Sequence, residues 1–224
     1  MRSMATLARP ASRSAIHSGE PGKVLLETLI TAFVRTTPLE AISVVLGLAY
    51  SILAVKRSRW CWIAGGLSSS ILVYLSARAH LPMQATLQAY YVAMSFYGFW
   101  QWSRQQQKAP LKASTWPLRS HLIAWVVILL ASAISSRWLA AETQAAWPFL
   151  DSVTTWASLL ATWLVARMKL ENWLYWIATD SVLVFLFIRQ DSVAVACLFA
   201  AYLVISVFGF VSWLKSYRQP APAN

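Results

Sequence analysis

The sequence predicts an all-α polytopic membrane protein, built as three transmembrane helices, one linking helix and three more, with an amphipathic helix ahead of them. Three observations carry this: a composition too apolar for a water-soluble fold, basic residues gathered between apolar runs, and an internal repeat that sets 38–104 against 149–215. Of the 224 residues, 58% are hydrophobic and only 12% charged, against roughly 25% charged in an ordinary soluble domain. Mean hydropathy is +0.52 and 13 residues are Trp. A disordered chain, a collagen-like chain and a typical soluble enzyme are excluded, because a soluble fold of this size would leave large apolar patches in water. The net charge of +11 would suggest nucleic acid in a soluble chain. Here the cations sit in short loops between apolar runs, which is how membrane proteins mark their cytoplasmic side, so no nucleic-acid partner is expected.

Residues 1–23 read as a basic, small-residue-rich tail, without the apolar stretch of a cleaved signal peptide. Residues 24–37 follow. Leu25, Leu26, Leu29, Ile30 and Phe33 share one helical face there, and Glu27, Thr28, Thr31 and Arg35 the other. A stretch so short, with a carboxylate in it, suits an interfacial helix better than a span, a short tilted span being the alternative. Seven apolar runs come next, near 39–55, 60–77, 83–103, 120–136, 149–166, 173–188 and 193–214. Eleven Lys and Arg fall after the odd-numbered runs (Lys56, Arg57, Arg59, Arg104, Lys108, Lys112, Arg119, Arg167, Lys169, Lys215, Arg218), and only Arg78, Arg137 and Arg189 in the alternate loops. The excess of cations on one side places those loops and the C-terminus in the cytoplasm. Cys61 and Cys197, in or beside apolar runs, read as small buried hydrophobes, and the three His are scattered.

The stretch 38–104 aligns with 149–215 without a gap, giving 17 identities in 67 positions. Trp62 meets Trp173, Arg78 meets Arg189, Tyr91 meets Tyr202, Ser95 meets Ser206, Gly98 meets Gly209, Phe99 meets Phe210 and Trp102 meets Trp213. Shared hydropathy explains matched Leu and Val, not matched aromatics, Arg and Gly. Three spans per copy would invert the second copy; the helix within 105–148 restores its orientation. The expected plan is therefore 3+1+3 with parallel repeats about an axis along the membrane normal, followed by a tail at 216–224. Transporters are often built this way, with the substrate site at the repeat interface.

No Walker loop, HExxH or GxSxG occurs, so neither an ATP site nor a hydrolase is supported and no cofactor is expected. Asp180 is the only deep carboxylate; Glu40 and Asp151, repeat partners, lie near outer ends. A deep ionisable group is functional by default, a structural hydrogen bond to a neighbouring helix being the alternative. Its repeat counterpart is Ser69, within Gly65-Gly66-Leu67-Ser68-Ser69-Ser70, a stretch that either packs helices closely or lines a polar cavity. In KLENWLYWIATD (169–180), Asn172, Trp176, Thr179 and Asp180 share one helical face. Trp173 and Trp176 build an aromatic wall, unless Trp173 is an interfacial anchor. Gln88 and Tyr91 share a face of the third run, and Trp100 and Trp102, close to Arg104, read as interfacial anchors. Such a wall with a carboxylate, amides and hydroxyls suits a small, flat, polar solute, and a flat cation best. A membrane scaffold without transport would instead keep a dry, apolar interior around Asp180.

These residues resemble the PnuC-type vitamin transporters, typified by nicotinamide riboside transporters. The resemblance covers roughly 38–215 and rests on KLENWLYWIATD, on LQAYYVAMSFYGFWQW (87–102) and on FGFVSW (208–213). It implies 3+1+3 spans related to the SWEET sugar transporters, facilitated diffusion of an unphosphorylated vitamin, trapping by a cytoplasmic kinase, a bacterial inner membrane and a homotrimer. It also implies binding roles for Asn172, Trp173, Asp180, Gln88 and Tyr91, to which the residue readings add Trp176, Ser69 and Trp62. Cys61-Trp62 stands where the second copy has Asn172-Trp173, and Trp62-Ile63-Ala64-Gly65 departs from the family's Trp-Pro-x-Gly-like pattern. Thiamine and, more distantly, riboflavin are alternative substrates in this family. Nicotinamide riboside and thiamine both carry a flat cationic ring, which an anionic aromatic site does not separate.

Overall fold

The computed structural model describes residues 36–142 and 147–218, with Gly22 and Thr31 besides. The N-terminal tail and nearly all of the expected interfacial helix lie outside these residues, as does the C-terminal tail from 219. Seven α-helices run through the described residues: α1 (Pro38–Val55), α2 (Cys61–Arg78), α3 (Pro82–Gln106), α4 (Leu118–Glu142), α5 (Pro148–Ala166), α6 (Asn172–Arg189) and α7 (Val193–Arg218). Four of them, α1, α4, α5 and α7, are long and apolar enough to cross a bilayer by length and composition alone. The other three are as long but carry Ser68, Ser69, Gln88 and Asp180, and all four of these side chains are buried. Their polar faces turn into the protein, which removes the penalty of polar groups in lipid.

Local signals explain the helix ends. Thr37 caps α1 through a capping box: its hydroxyl accepts from the Glu40 backbone N–H, and its own backbone N–H donates to Glu40 Oε2 at 2.8 Å. Proline stands in the first turn of α1, α3 and α5, where no intrahelical N–H is needed. Four connections use the same reversal. Arg57, His80, Met168 and Asp191 take left-handed backbone at φ 53–55°. The residue after each donates back five positions, Ser58 to Leu53, Leu81 to Ser76, Lys169 to Leu164 and Ser192 to Phe187, at 2.8–3.0 Å. That bond satisfies carbonyls that the helix end leaves open. Arg57 and Met168 are repeat partners, and so are His80 and Asp191.

Those short turns make α1–α2–α3 one bundle and α5–α6–α7 another. The bundles meet through α1 against α7 and α3 against α5, while α4 packs on α5. Trp102 of α3 donates its indole N–H to the carbonyls of Val165 and Ala166 in α5, and Trp213 of α7 donates to that of Ala54 in α1. Trp102 is fully buried, which corrects its reading as an interfacial anchor. Its position beside Arg104 suggested the membrane boundary, but its ring closes the bundle interface. Trp100 is exposed, with Arg104 over its ring at 5.5 Å. Cys61 is buried as expected, whereas Cys197 is exposed on α7, because an apolar run in a membrane protein need not face inward. The segment before α4 crosses the basic-loop end with Leu111 and Ala113 buried, and Ser114 pairs with Met168 and Leu170 through backbone bonds of 2.9 and 2.8 Å.

Candidate functional site between the bundles

Asp180 lies eight residues into α6, about 12 Å along its axis. It is 3% exposed, and Ser206 of α7 donates to its Oδ2 at 3.2 Å. The carboxylate therefore points into the protein. Tyr202, one turn from Ser206, brings its phenol within electrostatic range of that carboxylate. The same phenol rests against Gly47 of α1, where a Cβ would stand 2.6 Å from its oxygen. Ser68 of α2 is beside that point, its Oγ 3.6 Å away and donating to the Ser43 carbonyl at 2.7 Å. Two hydroxyl-bearing residues of α7 thus face the carboxylate, and the phenol of one of them reaches α1 and α2 of the other bundle. The interior there is not purely apolar, as a scaffold would have it.

A matching arrangement occupies the other side. Tyr91 of α3 hydrogen-bonds Ser158 of α5. Tyr91 and Tyr202 are repeat partners, and so are Gly47 and Ser158. Tyr90 donates to the Leu159 carbonyl at 2.9 Å, and its ring lies 5.8 Å from that of Tyr91. Tyr50 of α1 packs edge-on against Trp62 at 5.8 Å and fits over Gly65, and its buried hydroxyl has no hydrogen-bond partner. Ser69 and Gln88 are buried as well.

Toward the basic-loop end, four indoles follow one another. Trp62 meets Trp102 at 5.6 Å, Trp102 meets Trp213 at 6.2 Å and Trp213 meets Trp173 at 5.5 Å. Trp62 fits where Gly98 has no side chain, and Trp173 does the same against Gly209, where a Cβ would come within 2.6 Å of the ring. Trp173 is therefore a buried wall residue and not an interfacial anchor. Asn172 is buried, its amide donating to the Lys169 carbonyl at 2.6 Å. The Asn172 Oδ1 and the Nε1 groups of Trp62 and Trp173 are buried without partners, polar groups that a ligand or water is normally found to satisfy. Trp176 is half-buried between this layer and the second apolar cluster, around Ala161 and Leu164.

The expected residues thus divide by depth. Asp180 and Ser69 lie about two turns deeper than the layer of Asn172, Trp173 and Trp62, Tyr91 and Gln88 stand about three and four turns from Trp102 of that layer, and Trp176 lies about one turn from Trp173. Sequence reasoning missed Tyr202, Ser206, Tyr50 and Ser158. Tyr202 and Ser206 are visible as repeat identities, a signal that could have marked them as site residues. Open cavities of about 400 and 420 Å³ lie elsewhere, between the ends of α1 and α7 and beside α4.

Residues 37–215 match the family model described as nicotinamide mononucleotide transporter. The chain belongs to this family. Its members are membrane transporters rather than enzymes, and the chain is a multi-pass membrane protein. It is 25% identical over 208 residues to the nicotinamide riboside transporter PnuC of Escherichia coli, covering 81% of this chain and 87% of that one. It is 28% identical over 185 residues to the riboflavin/roseoflavin transporter RibM of Streptomyces davaonensis, covering 80% and 85%. The crystal structure of the vitamin B3 transporter PnuC superposes with a TM-score of 0.66 at 22% identity over 93% of each chain, so the fold is shared.

Proposed function

We propose that this chain carries nicotinamide riboside across a bacterial inner membrane by facilitated diffusion, with a cytoplasmic kinase trapping the vitamin as its phosphate. The observation that carries the reading is Asp180, a deep buried carboxylate that accepts from the Ser206 hydroxyl and has the Tyr202 phenol within electrostatic range. A pyridinium ring is flat and positively charged, and an anionic oxygen with aromatic faces favours it. A 5′-phosphate would bring negative charge toward Asp180, which argues for the riboside over the mononucleotide. The ring stacks on Trp173 or Trp176. Asn172, Gln88 and Asp180 take the ribose or the charge, and Tyr91, Ser69, Trp62, Tyr202 and Ser206 complete the wall.

The transport plan is 3+1+3, with two like-oriented bundles rocking about the site and the C-terminus in the cytoplasm. Helix limits, left-handed turns and cross-bundle contacts that recur between the two copies support the repeat. The excess of basic residues supports the orientation. Assembly as a homotrimer follows from the family resemblance alone.

A second reading, riboflavin, is favoured by the 28% identity to RibM. Its neutral three-ring system gains nothing from the charge of Asp180. The deciding experiment is uptake of labelled nicotinamide riboside by proteoliposomes, with riboflavin, thiamine and nicotinamide mononucleotide as competitors. Saturable uptake that stops at the concentration equilibrium is expected, with weak competition by the mononucleotide. Preferential competition by riboflavin or thiamine would transfer the assignment to that vitamin, and accumulation beyond equilibrium would require ion coupling.

A further inference from the structure

The cavity beside α4 belongs to neither bundle interface. It encloses about 420 Å³ at the start of α4 and α6, walled by Trp116, His121, Trp125, Glu171 and Tyr175. Trp125 stacks on Tyr175 at 5.6 Å, His121 stacks on Tyr175 at 5.8 Å, and Trp116 stands edge-on to His121 at 4.9 Å. One carboxylate faces this box. Glu171 Oε1 accepts from the Trp116 backbone N–H at 2.8 Å, while its Oε2 is buried without a partner. His121 Nδ1 lies 3.0 Å from the Tyr175 hydroxyl, and its Nε2 is also buried without a hydrogen bond, 3.9 Å from Glu171 Oε1 and beyond hydrogen-bond reach. With the ring proton on Nδ1, two acceptors in the residues that wall this aromatic space are left unpaired. The rim is apolar and exposed at Leu118, Leu122 and Leu174, and Arg119 is exposed in the same turn of α4.

We infer that this cavity is a binding site for a primary ammonium group, supplied by the head group of phosphatidylethanolamine on the basic-loop side of the membrane. The aromatic faces and Glu171 supply the attraction for the cation, and the ammonium N–H groups satisfy Glu171 Oε2 and His121 Nε2. Arg119 meets the phosphate, and the acyl chains run along the exposed face of α4. A choline head group has no N–H to donate, so the site prefers ethanolamine.

The test is the phospholipid retained by the full-length purified protein after exhaustive detergent washing, following exposure to equal phosphatidylethanolamine, phosphatidylcholine and phosphatidylglycerol. Wild type is expected to keep ethanolamine lipid over the other two. Glu171→Gln preserves the acceptor for Trp116 and removes the charge, so it should lower that retention about tenfold. Trp125→Leu removes one wall without touching Glu171 and should lower it too. Equal retention of the three lipids by wild type overturns the proposal without recourse to any variant, as does unchanged retention in a folded Glu171→Gln. Displacement of the lipid by free O-phosphoethanolamine at matched concentration overturns the lipid source and assigns the site to a soluble amine.

Discussion

Gly47 is the point at which the two bundles can be forced apart by a single carbon. Replacing it with Ala places a methyl group 2.6 Å from the Tyr202 hydroxyl oxygen, far inside van der Waals contact. The other nearest atoms, Ser68 Oγ at 3.6 Å and Tyr202 Cζ at 3.8 Å, accept it at ordinary distance. The clash is therefore with one oxygen. The phenol cannot swing freely, because its ring packs at 6.1 Å against Phe199, itself stacked on Phe187. Overpacking of this kind costs about 1–3 kcal/mol. Gly47→Ala should lower stability by about 0.5–2 kcal/mol, after the roughly 0.5–1 kcal/mol by which Ala favours a helix interior over Gly, and weaken substrate binding, since the displaced phenol is a neighbour of Asp180. Tyr202→Phe removes the clashing atom, so the double variant should regain most of the lost stability. Thermal unfolding of the four proteins in one detergent gives the coupling energy directly. Additive losses in the double variant, or no loss in Gly47→Ala, would refute this account of the bundle contact.

Three further outcomes follow from the geometry. Asp180→Asn keeps an acceptor for Ser206 but removes the charge, so uptake in proteoliposomes should fall at least about tenfold while membrane insertion is unchanged; normal uptake would remove the charge of Asp180 from the mechanism. Trp102→Phe breaks the indole bonds to Val165 and Ala166 and leaves a cavity, so it should destabilise by about 2–4 kcal/mol, whereas Trp100→Phe at the exposed neighbour should change stability by less than about 0.5 kcal/mol. His80→Gly relieves a left-handed residue at φ 54° on an exposed turn and should raise the unfolding free energy by about 0.5–1 kcal/mol after the added chain entropy of glycine.

The all-helical membrane fold and its seven helices among the described residues were legible because periodicity and hydropathy report directly on burial in lipid. Asp180 was legible because a lone carboxylate in an apolar run has few explanations. Trp102 was not, since an indole beside an arginine has the same local signature whether it faces a head group or a partner helix. Only the carbonyls of Val165 and Ala166, far along the chain in the other bundle, distinguish the two. Tyr50 was missed for a related reason. Its repeat partner is Ala161, so the alignment gave it no weight, and its importance comes from the rings and hydroxyls that α2 and α3 bring around it. The box around Glu171 was likewise invisible, because Trp116, His121 and Tyr175 lie in three different segments.

On the proposed repeat, the positions matched between the two bundles and those that differ separate scaffold from recognition. A feature present in both copies and fully partnered has a sufficient explanation in helix packing: Trp102 and Trp213 each donate to a carbonyl of the opposite bundle. Where the copies differ, packing alone gives no reason for the difference. Asp180 stands opposite Ser69, Asn172 opposite Cys61, Gln88 opposite Phe199 and Ser158 opposite Gly47. The proposed nucleoside substrate has no two-fold axis, so a site built from two repeats would orient it only through groups that differ between them. The four polar members of those pairs are distributed over α6, α3 and α5. Specificity should therefore change when Asp180, Asn172, Gln88 or Ser158 is exchanged for its repeat partner's residue, while replacing Trp102 or Trp213 by Phe should change stability first.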